Sequence, residues 1–188
     1  AFSPEQQAWY DKACQRIDPQ RLQKLLFSIV DIHSPTGAAR AASEFMARHL
    51  AEVGLKARYQ PMTDTSGNVL AELRGSGGGA SLMLYAPIDT HLDLTEAESE
   101  WTGARGEADM QPRAQSLGDW VFGLGASNPK AMVATLTEIA TALIEAEVPL
   151  VGDLLVGMAD GGMPVDISAR NHGGMSNGVL HLLNRGAA

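Results

Sequence analysis

The stretch Ser81-Leu-Met-Leu-Tyr-Ala-Pro-Ile-Asp89 is a short apolar run that ends in an acidic residue. Short apolar runs bounded by glycine, asparagine or proline are typical of strands, so we predict a strand over residues 81–86. Similar runs lie at residues 56–60 and 69–74, and another at 153–159. The sequence therefore predicts four strands.

Helical patterns surround these strands. Ser3-Pro4 and Asp18-Pro19 each pair a capping side chain with a proline suited to the first helical turn, which predicts a helix from each. A third helix is predicted from about Ala38 to Gly54, and the clearest one begins at Asn128-Pro129. Helices that alternate with strands are typical of a layered α/β fold.

Two connecting segments carry further expectations. Residues 75–79, Gly-Ser-Gly-Gly-Gly, predict a flexible hairpin-type connection and lack the helix that follows a phosphate-binding loop. Residues 95–117 are polar, acidic and poorly periodic, so we predict a long surface loop there.

Composition and charge narrow the classes of partner. The chain has 188 residues and a formal net charge of −8, which argues against nucleic acid and anionic membranes. Its single cysteine, Cys14, cannot form an internal disulfide and fits a reducing compartment. We expect a cytoplasmic protein, because no apolar stretch approaches a membrane span and the first residues lack a signal-peptide pattern.

Three motifs carry a family resemblance: Leu82-Met-Leu-Tyr-Ala-Pro-Ile-Asp89, Trp120-Val-Phe-Gly-Leu-Gly-Ala-Ser-Asn-Pro-Lys130 and Gly152-Asp-Leu-Leu-Val-Gly-Met-Ala-Asp-Gly-Gly162. With the helical segment from Arg21, they resemble in order and spacing the zinc peptidases of the aminoacylase, carboxypeptidase G and acetylornithine deacetylase type. The resemblance implies a three-layer helix–sheet–helix catalytic domain. It also implies a mixed, mostly parallel sheet with the active site at the strand ends.

The metal-binding residues of that family do not stand at the matching positions. The family's first motif is Gly-His-x-Asp, whose histidine binds zinc; here Pro87 replaces it, while Asp89 keeps the orienting aspartate. Asn128 stands at the bridging aspartate, and Gly161 and Gly162 stand at the paired glutamates that serve as base and ligand. Proline has no side-chain ligand atom, and a neutral amide binds zinc more weakly than a carboxylate. We therefore expect no zinc and no other cofactor.

Asp89, His91 and Asp93 form a candidate replacement metal site, because they would point to one side if the strand continued. We favour the alternative that His91 and Asp93 are solvated loop residues. His172, in a glycine-rich loop, is the other histidine outside a helical or apolar context. His91 and His172 are candidate substrate-binding residues.

Catalysis without a metal needs a nucleophile and a base. Ser127 and Lys130 have the Ser-x-x-Lys spacing at a predicted helix start, where the helix N-terminus favours a developing negative charge. The alternative is that Ser127 caps the helix. Asp89 and Asp160 are predicted at strand ends and are candidates for acid–base or orienting roles, although Asp160 is equally compatible with a turn. With Asn128, these are the candidate catalytic residues.

Gly161 and Gly162 can present backbone N–H groups to a substrate. Such groups line anion or oxyanion pockets, so both glycines are candidate substrate-binding residues. The alternative interpretation is an ordinary turn.

A partner chain is the last expectation. The whole chain, residues 1–188, is expected to form the N-terminal part of one catalytic domain, because a domain of the resembled family continues past the third motif. We expect a second polypeptide, a separate subunit or a cleaved C-terminal part, to complete it within a higher oligomer. After such cleavage, the new N-terminal residue of the partner is a candidate nucleophile.

Two functions follow from these observations. The first is metal-independent hydrolysis of the C–N bond of a small carboxylate-bearing or cyclic amide. The alternative is a catalytically inactive structural or regulatory subunit of a hydrolase complex.

Overall fold

The computed structural model describes residues 2–102, 106–162 and 177–185. In chain order the elements are helices α1 Pro4–Cys14, α2 Pro19–Val30 and α3 Arg40–Glu52, strands β1 Lys56–Pro61, β2 Gly67–Leu73 and β3 Leu82–Pro87, helix α4 Glu96–Thr102, a 3-10 turn Ala108–Met110, strands β4 Gln115–Leu117 and β5 Trp120–Phe122, helix α5 Lys130–Glu145, strand β6 Leu154–Ala159 and helix α6 Asn177–Asn184. Within these ranges, no helix is long and apolar enough to cross a membrane.

The main sheet has four strands in the order β1-β2-β6-β3. Strand β2 runs antiparallel to both of its neighbours, and β3 pairs parallel with β6. Strands β1, β6 and β3 therefore run in the same direction, and the predicted mixed α/β sheet is confirmed.

The hairpin-type connection predicted at residues 75–79 is wrong. Strand β6 lies between β2 and β3, so the two strands flanking this segment are not paired. The N–H groups of Ser76 and Gly77 instead donate to the carbonyls of Leu150 and Val151, just before β6. Local turn chemistry could not reveal a strand that enters from about 75 residues further along the chain.

Helices cover both faces of the sheet, as the three-layer prediction requires. Val156 and Met158 of β6 are buried in one core with apolar residues of α2, α3 and α5. Gly157, on the opposite face, lies against Leu182 of α6. Successive residues of a strand point to opposite faces, so β6 serves both layers.

The first two helices begin where the capping signals predicted. The Ser3 side chain accepts from the Gln6 N–H, and the Asp18 side chain caps the first turn of α2. Helix α5 instead begins at Lys130, preceded by Pro129, which offers no side-chain cap. The interpretation of Ser127 as the cap of this helix is therefore wrong.

The predicted loop at 95–117 contains regular structure. It holds α4 and the 3-10 turn, and it ends in β4, which forms a two-stranded hairpin with β5. The Glu98 carboxylate accepts the N–H groups of Asp93 at 2.9 Å and Leu94 at 2.7 Å, which fixes the chain before α4. A seven-residue helix is too short to show clear periodicity in the sequence.

An ion pair joins α2 to α5 beside the core. Two guanidinium nitrogens of Arg21 donate to the Glu138 carboxylate, Nη2 to Oε1 at 2.7 Å and Nε to Oε2 at 2.8 Å. The Asp18 N–H donates to the same carboxylate at 2.7 Å, and Arg21 Nη1 binds Glu145 at 2.7 Å. Hydrogen bonds from Arg21 to Glu138 are the largest cause that raises the pKa of Arg21.

Candidate functional site

The carboxyl ends of β3 and β6 bring two of the three resemblance motifs together. Pro87 is paired with Ala159, and the Ile88 N–H donates to the Ala159 carbonyl at 3.1 Å. Just beyond these residues, the Gly162 N–H donates to Asp89 Oδ1 at 3.2 Å. The predicted position of Asp89 and Asp160 just after strand ends agrees with the structure.

The carboxylate of Asp89 is fully buried at this edge. The Thr36 hydroxyl donates to Oδ2 at 2.5 Å, and the Gly162 N–H donates to Oδ1. Thr36 is itself fixed, because its N–H donates to the Thr90 carbonyl at 3.0 Å. Hydrogen bonds of this kind offset the cost of removing a carboxylate from water.

Asp160 binds the surrounding segments together. Its Oδ1 accepts the N–H groups of Gly37 at 2.9 Å and Gly161 at 2.7 Å. Its Oδ2 accepts the Ala39 N–H at 3.3 Å and the Ser66 hydroxyl at 2.5 Å. A carboxylate offers about four acceptor positions, so these donors use its capacity. This bonding favours the alternative interpretation of Asp160 as a structural residue.

Ser127 and Lys130 differ in burial: Ser127 is exposed and Lys130 is buried. Lys130 is only 1% exposed, and its Nζ donates to the Ile32 carbonyl at 2.7 Å, just after the end of α2. Burial lowers the pKa of Lys130 to about 8, while nearby Asp31 acts in the opposite direction. Ser127 and Asn128 are exposed. Within the described ranges no hydrogen bond joins Ser127 to Lys130, so the Ser–Lys pair is not assembled.

His91 lies apart from this buried network. His91 is exposed, while Asp89 two residues before it is buried, because strand β3 ends at Pro87 and the alternation does not continue. His172 lies outside the described residues. In the part of the chain that the structure describes, no group of three or more His, Cys, Asp or Glu side chains could hold a metal ion.

The N–H groups of Gly161 and Gly162 are occupied by carboxylates of the chain itself. The Gly161 N–H donates to Asp160 Oδ1 at 2.7 Å, and the Gly162 N–H donates to Asp89 Oδ1 at 3.2 Å. Both N–H groups are thus bonded within the chain, which favours the alternative interpretation of an ordinary turn over an oxyanion pocket. Both N–H groups do donate hydrogen bonds, but one acceptor, Asp89, comes from a distant part of the sequence.

The positions that the resembled family uses for zinc do not fit that ion here. Pro87, Gly161 and Gly162 carry no side-chain ligand atom. Both oxygens of Asp89 accept hydrogen bonds from the protein. The donor set therefore lacks the imidazole and carboxylate ligands that zinc sites use.

Two residues of the site were missed by the sequence analysis. Thr36 and Ser66 each place a buried hydroxyl on one of the two aspartates. The sequence predicts only a turn for the stretch containing Thr36. Nothing local shows that this turn, and the loop containing Ser66, lie over the ends of β3 and β6.

Comparison with known proteins identifies the fold. No protein-family model matches the sequence. Aminopeptidase PepT from Bacillus cereus is similar in structure, with a TM-score of 0.60 and 16% identity over 78% of this chain and 38% of that one. Human carnosine dipeptidase 1 has a TM-score of 0.60 and 16% identity, over 79% of this chain and 34% of that one.

A third similar structure is an M20 family metallo-carboxypeptidase from Sulfolobus solfataricus, with a TM-score of 0.57 and 16% identity, over 75% of this chain and 31% of that one. The chain thus spans under two fifths of the length of each of these proteins. At such low identity the similarity establishes architecture rather than reaction. The chain has the α/β fold of part of these peptidases.

Proposed function

We propose that this chain is part of a hydrolase that cleaves the C–N bond of a small carboxylate-bearing or cyclic amide without zinc. The observation that carries the proposal is the buried carboxylate of Asp89, held by Thr36 and Gly162 where two parallel strands end. Open α/β sheets bind ligands at the carboxyl ends of their strands. The similar structures are an aminopeptidase, a dipeptidase and a carboxypeptidase, which supports an amide bond as the target.

In this proposal the buried residues Asp89, Asp160 and Lys130 have different roles. Asp89 is the orienting group, because its carboxylate is fully buried and both of its oxygens already accept hydrogen bonds, from Thr36 and from Gly162. Asp160 and Lys130 position it indirectly. The first holds the turn next to Thr36, and the second ties the start of α5 to the end of α2.

We propose that the nucleophile comes from a second polypeptide, the partner chain expected from the sequence. Two described hydroxyls, Thr36 and Ser66, do bind carboxylates, but both are buried and thus closed to a substrate. The exposed Ser127 has no hydrogen bond to Lys130 among the residues described. A partner that supplies the reacting group would complete the site.

The test is hydrolysis by the natural full-length protein, purified with any chain that accompanies it. Release of amine or carboxylate from N-acyl amino acids, dipeptides, lactams and cyclic imides is followed by mass spectrometry, before and after treatment with a chelator. We expect turnover that survives chelation and that falls by about 10²-fold in Asp89→Asn, because the groups that the carboxylate orients are then misplaced. Asp119→Asn, an exposed aspartate in the β4–β5 turn, is the matched control.

Turnover that is lost on chelation and restored by zinc would refute the metal-independent proposal. Thermal unfolding of both variants shows whether a lost rate reflects a lost fold. Unchanged turnover in a folded Asp89→Asn variant would remove Asp89 from the reaction.

An inactive structural or regulatory subunit is the second candidate. It is favoured by the internal satisfaction of the polar groups: Asp160 has four donors, and Lys130 binds a backbone carbonyl. This candidate expects the complex with a partner to keep its full activity in Asp89→Asn, and it expects no amide hydrolysis without the partner.

A further inference from the structure

Pro87 stands where the resembled family has a zinc-binding histidine, Gly162 stands where it has one of its paired glutamates, and in this fold the two residues lie side by side. A Cβ added to Gly162 would lie 2.6 Å from Pro87 Cβ and 3.0 Å from Pro87 Cγ. Carbon atoms that are not bonded to one another have their optimum separation at about 3.5–4.0 Å. No side chain therefore fits at position 162 while Pro87 stands opposite.

The neighbouring position is closed for a different reason. Gly161 has a φ of +83°, in the left-handed region that glycine adopts without a steric penalty. A glutamate in the same backbone conformation would be strained, since its Cβ crowds the following carbonyl. Both positions of the family's glutamate pair are thus shaped for glycine.

Asp89 adds a polar link at the same place. Its Oδ1 accepts the Gly162 N–H at 3.2 Å, and a Cβ on Gly162 would come within 3.5 Å of that oxygen. The ends of β3 and β6 are therefore joined directly, by the packing of Pro87 on Gly162 and by one hydrogen bond. In a zinc site of the resembled kind, metal ligands would stand in this space.

We propose that Pro87 and Gly162 are a matched pair that closes the sheet edge where the resembled family holds its metal, so that direct contact between the strand ends replaces metal bridging. The proposal is independent of the reaction that the protein catalyses. It implies that neither residue can be reverted alone: Gly162→Glu collides with Pro87, and Pro87→His gains one ligand without a second.

A double-mutant cycle on the natural full-length protein tests the contact. Gly162→Ala is expected to lower the Tm by roughly 3–10 °C, the effect of overpacking in a domain of this size. Pro87→Gly removes both contacting carbons. In the Pro87→Gly background, Gly162→Ala should therefore lower the Tm clearly less than it does in the wild-type protein. The matched control is Gly67→Ala, whose added Cβ would meet Tyr59 instead, and its loss should be the same with or without the Pro87→Gly substitution.

The Tm values of the variants distinguish a direct contact between Pro87 and Gly162 from its absence. An unchanged Tm for Gly162→Ala, or a loss that is equally large in the Pro87→Gly background, would overturn the matched-pair proposal. If Gly162→Ala alone does not fold, a folded double variant supports the proposal and an unfolded one overturns it.

Zinc binding gives a second readout that does not depend on activity. Zinc is titrated calorimetrically into chelator-treated protein, with Asp89→Asn and Asp119→Asn as the paired variants. We expect no saturable uptake that depends on Asp89. Stoichiometric binding that disappears in Asp89→Asn and persists in Asp119→Asn would show that the edge still holds a metal, and would contradict the proposal.

Discussion

Replacing Arg21 with methionine tests how much the ion pair between α2 and α5 stabilises the chain. Glu138 is only 3% exposed, and Arg21 gives its carboxylate two hydrogen bonds at 2.7 and 2.8 Å. Without Arg21, the N–H of Asp18 remains as a donor to this buried carboxylate. Breaking a buried pair costs about 3–5 kcal/mol, and the 30% exposure of Arg21 lowers our expectation to about 2–4 kcal/mol.

Thermal unfolding and urea denaturation measure this loss. The expected fall in Tm is roughly 4–15 °C, with an unchanged m-value in urea. Arg40→Met is the matched control, because its ion pair with Glu44 is largely exposed and should contribute less than about 1 kcal/mol. The double variant Arg21→Met with Glu138→Met removes both charges and should recover part of the loss.

Two results would refute this reasoning. One is an Arg21→Met variant no less stable than Arg40→Met. The other is a double variant that is less stable than Arg21→Met alone. Either would mean that the carboxylate of Glu138 is not dependent on Arg21 in the way that its burial indicates.

Three other predictions concern the buried network. Asp160→Asn should lower the free energy of unfolding by about 2–5 kcal/mol, because an amide oxygen cannot replace both carboxylate oxygens and at least two donors lose their acceptor. Ser66→Ala should lower it by only about 1 kcal/mol. Equal losses for the two variants in urea denaturation would argue against the four-donor arrangement. The folded-state pKa of Lys130 is lowered from 10.5 to about 8, so the unfolded chain binds more protons between these values and stability should rise from pH 8 to 10.5, by up to about 3 kcal/mol. Lys130→Met should abolish that rise, and a wild-type pH profile in the variant would exclude Lys130 as its source. Thr36→Val keeps the shape but removes the hydroxyl from Asp89, so it should lower stability by about 1–3 kcal/mol, whereas an unchanged Tm would show that the Thr36 hydrogen bond is dispensable.

The fold was predictable to the extent that its signals are local. The capping residues Ser3 and Asp18 marked the starts of α1 and α2, and the four apolar runs marked the strands of the main sheet. Strand order was not predictable from such signals, since β6 pairs with β2 and β3 across long stretches of chain. The short helix α4 was missed because seven residues show no clear periodicity. The carboxylate of Glu98, which fixes the chain before this helix, gives no local signal in the sequence.

The candidate site was predictable in its location but not in its bonding. The sequence analysis placed Asp89 and Asp160 at strand ends, and the structure shows that these strands are neighbours and that Gly162 donates to Asp89. The partners of these residues come from turns more than 50 positions away, through Thr36 and Ser66. A sequence pattern shows which residue can accept a hydrogen bond, but which donor reaches it depends on how the turns pack over the sheet.

The same bonding explains how the ends of β3 and β6 are held together in this fold. Asp89 and Asp160 are both buried, and together they hold the turn at residues 36–39 against the turn at residues 160–162. Each carboxylate takes its donors from backbone N–H groups and hydroxyls, and the N–H donors include those of Gly161 and Gly162. Gly161 has a positive φ, and a Cβ on Gly162 would collide with Pro87. Glycine at positions 161 and 162 and aspartate at positions 89 and 160 are therefore parts of one arrangement. A glutamate introduced at position 161 or 162 would have to displace this hydrogen-bonded turn.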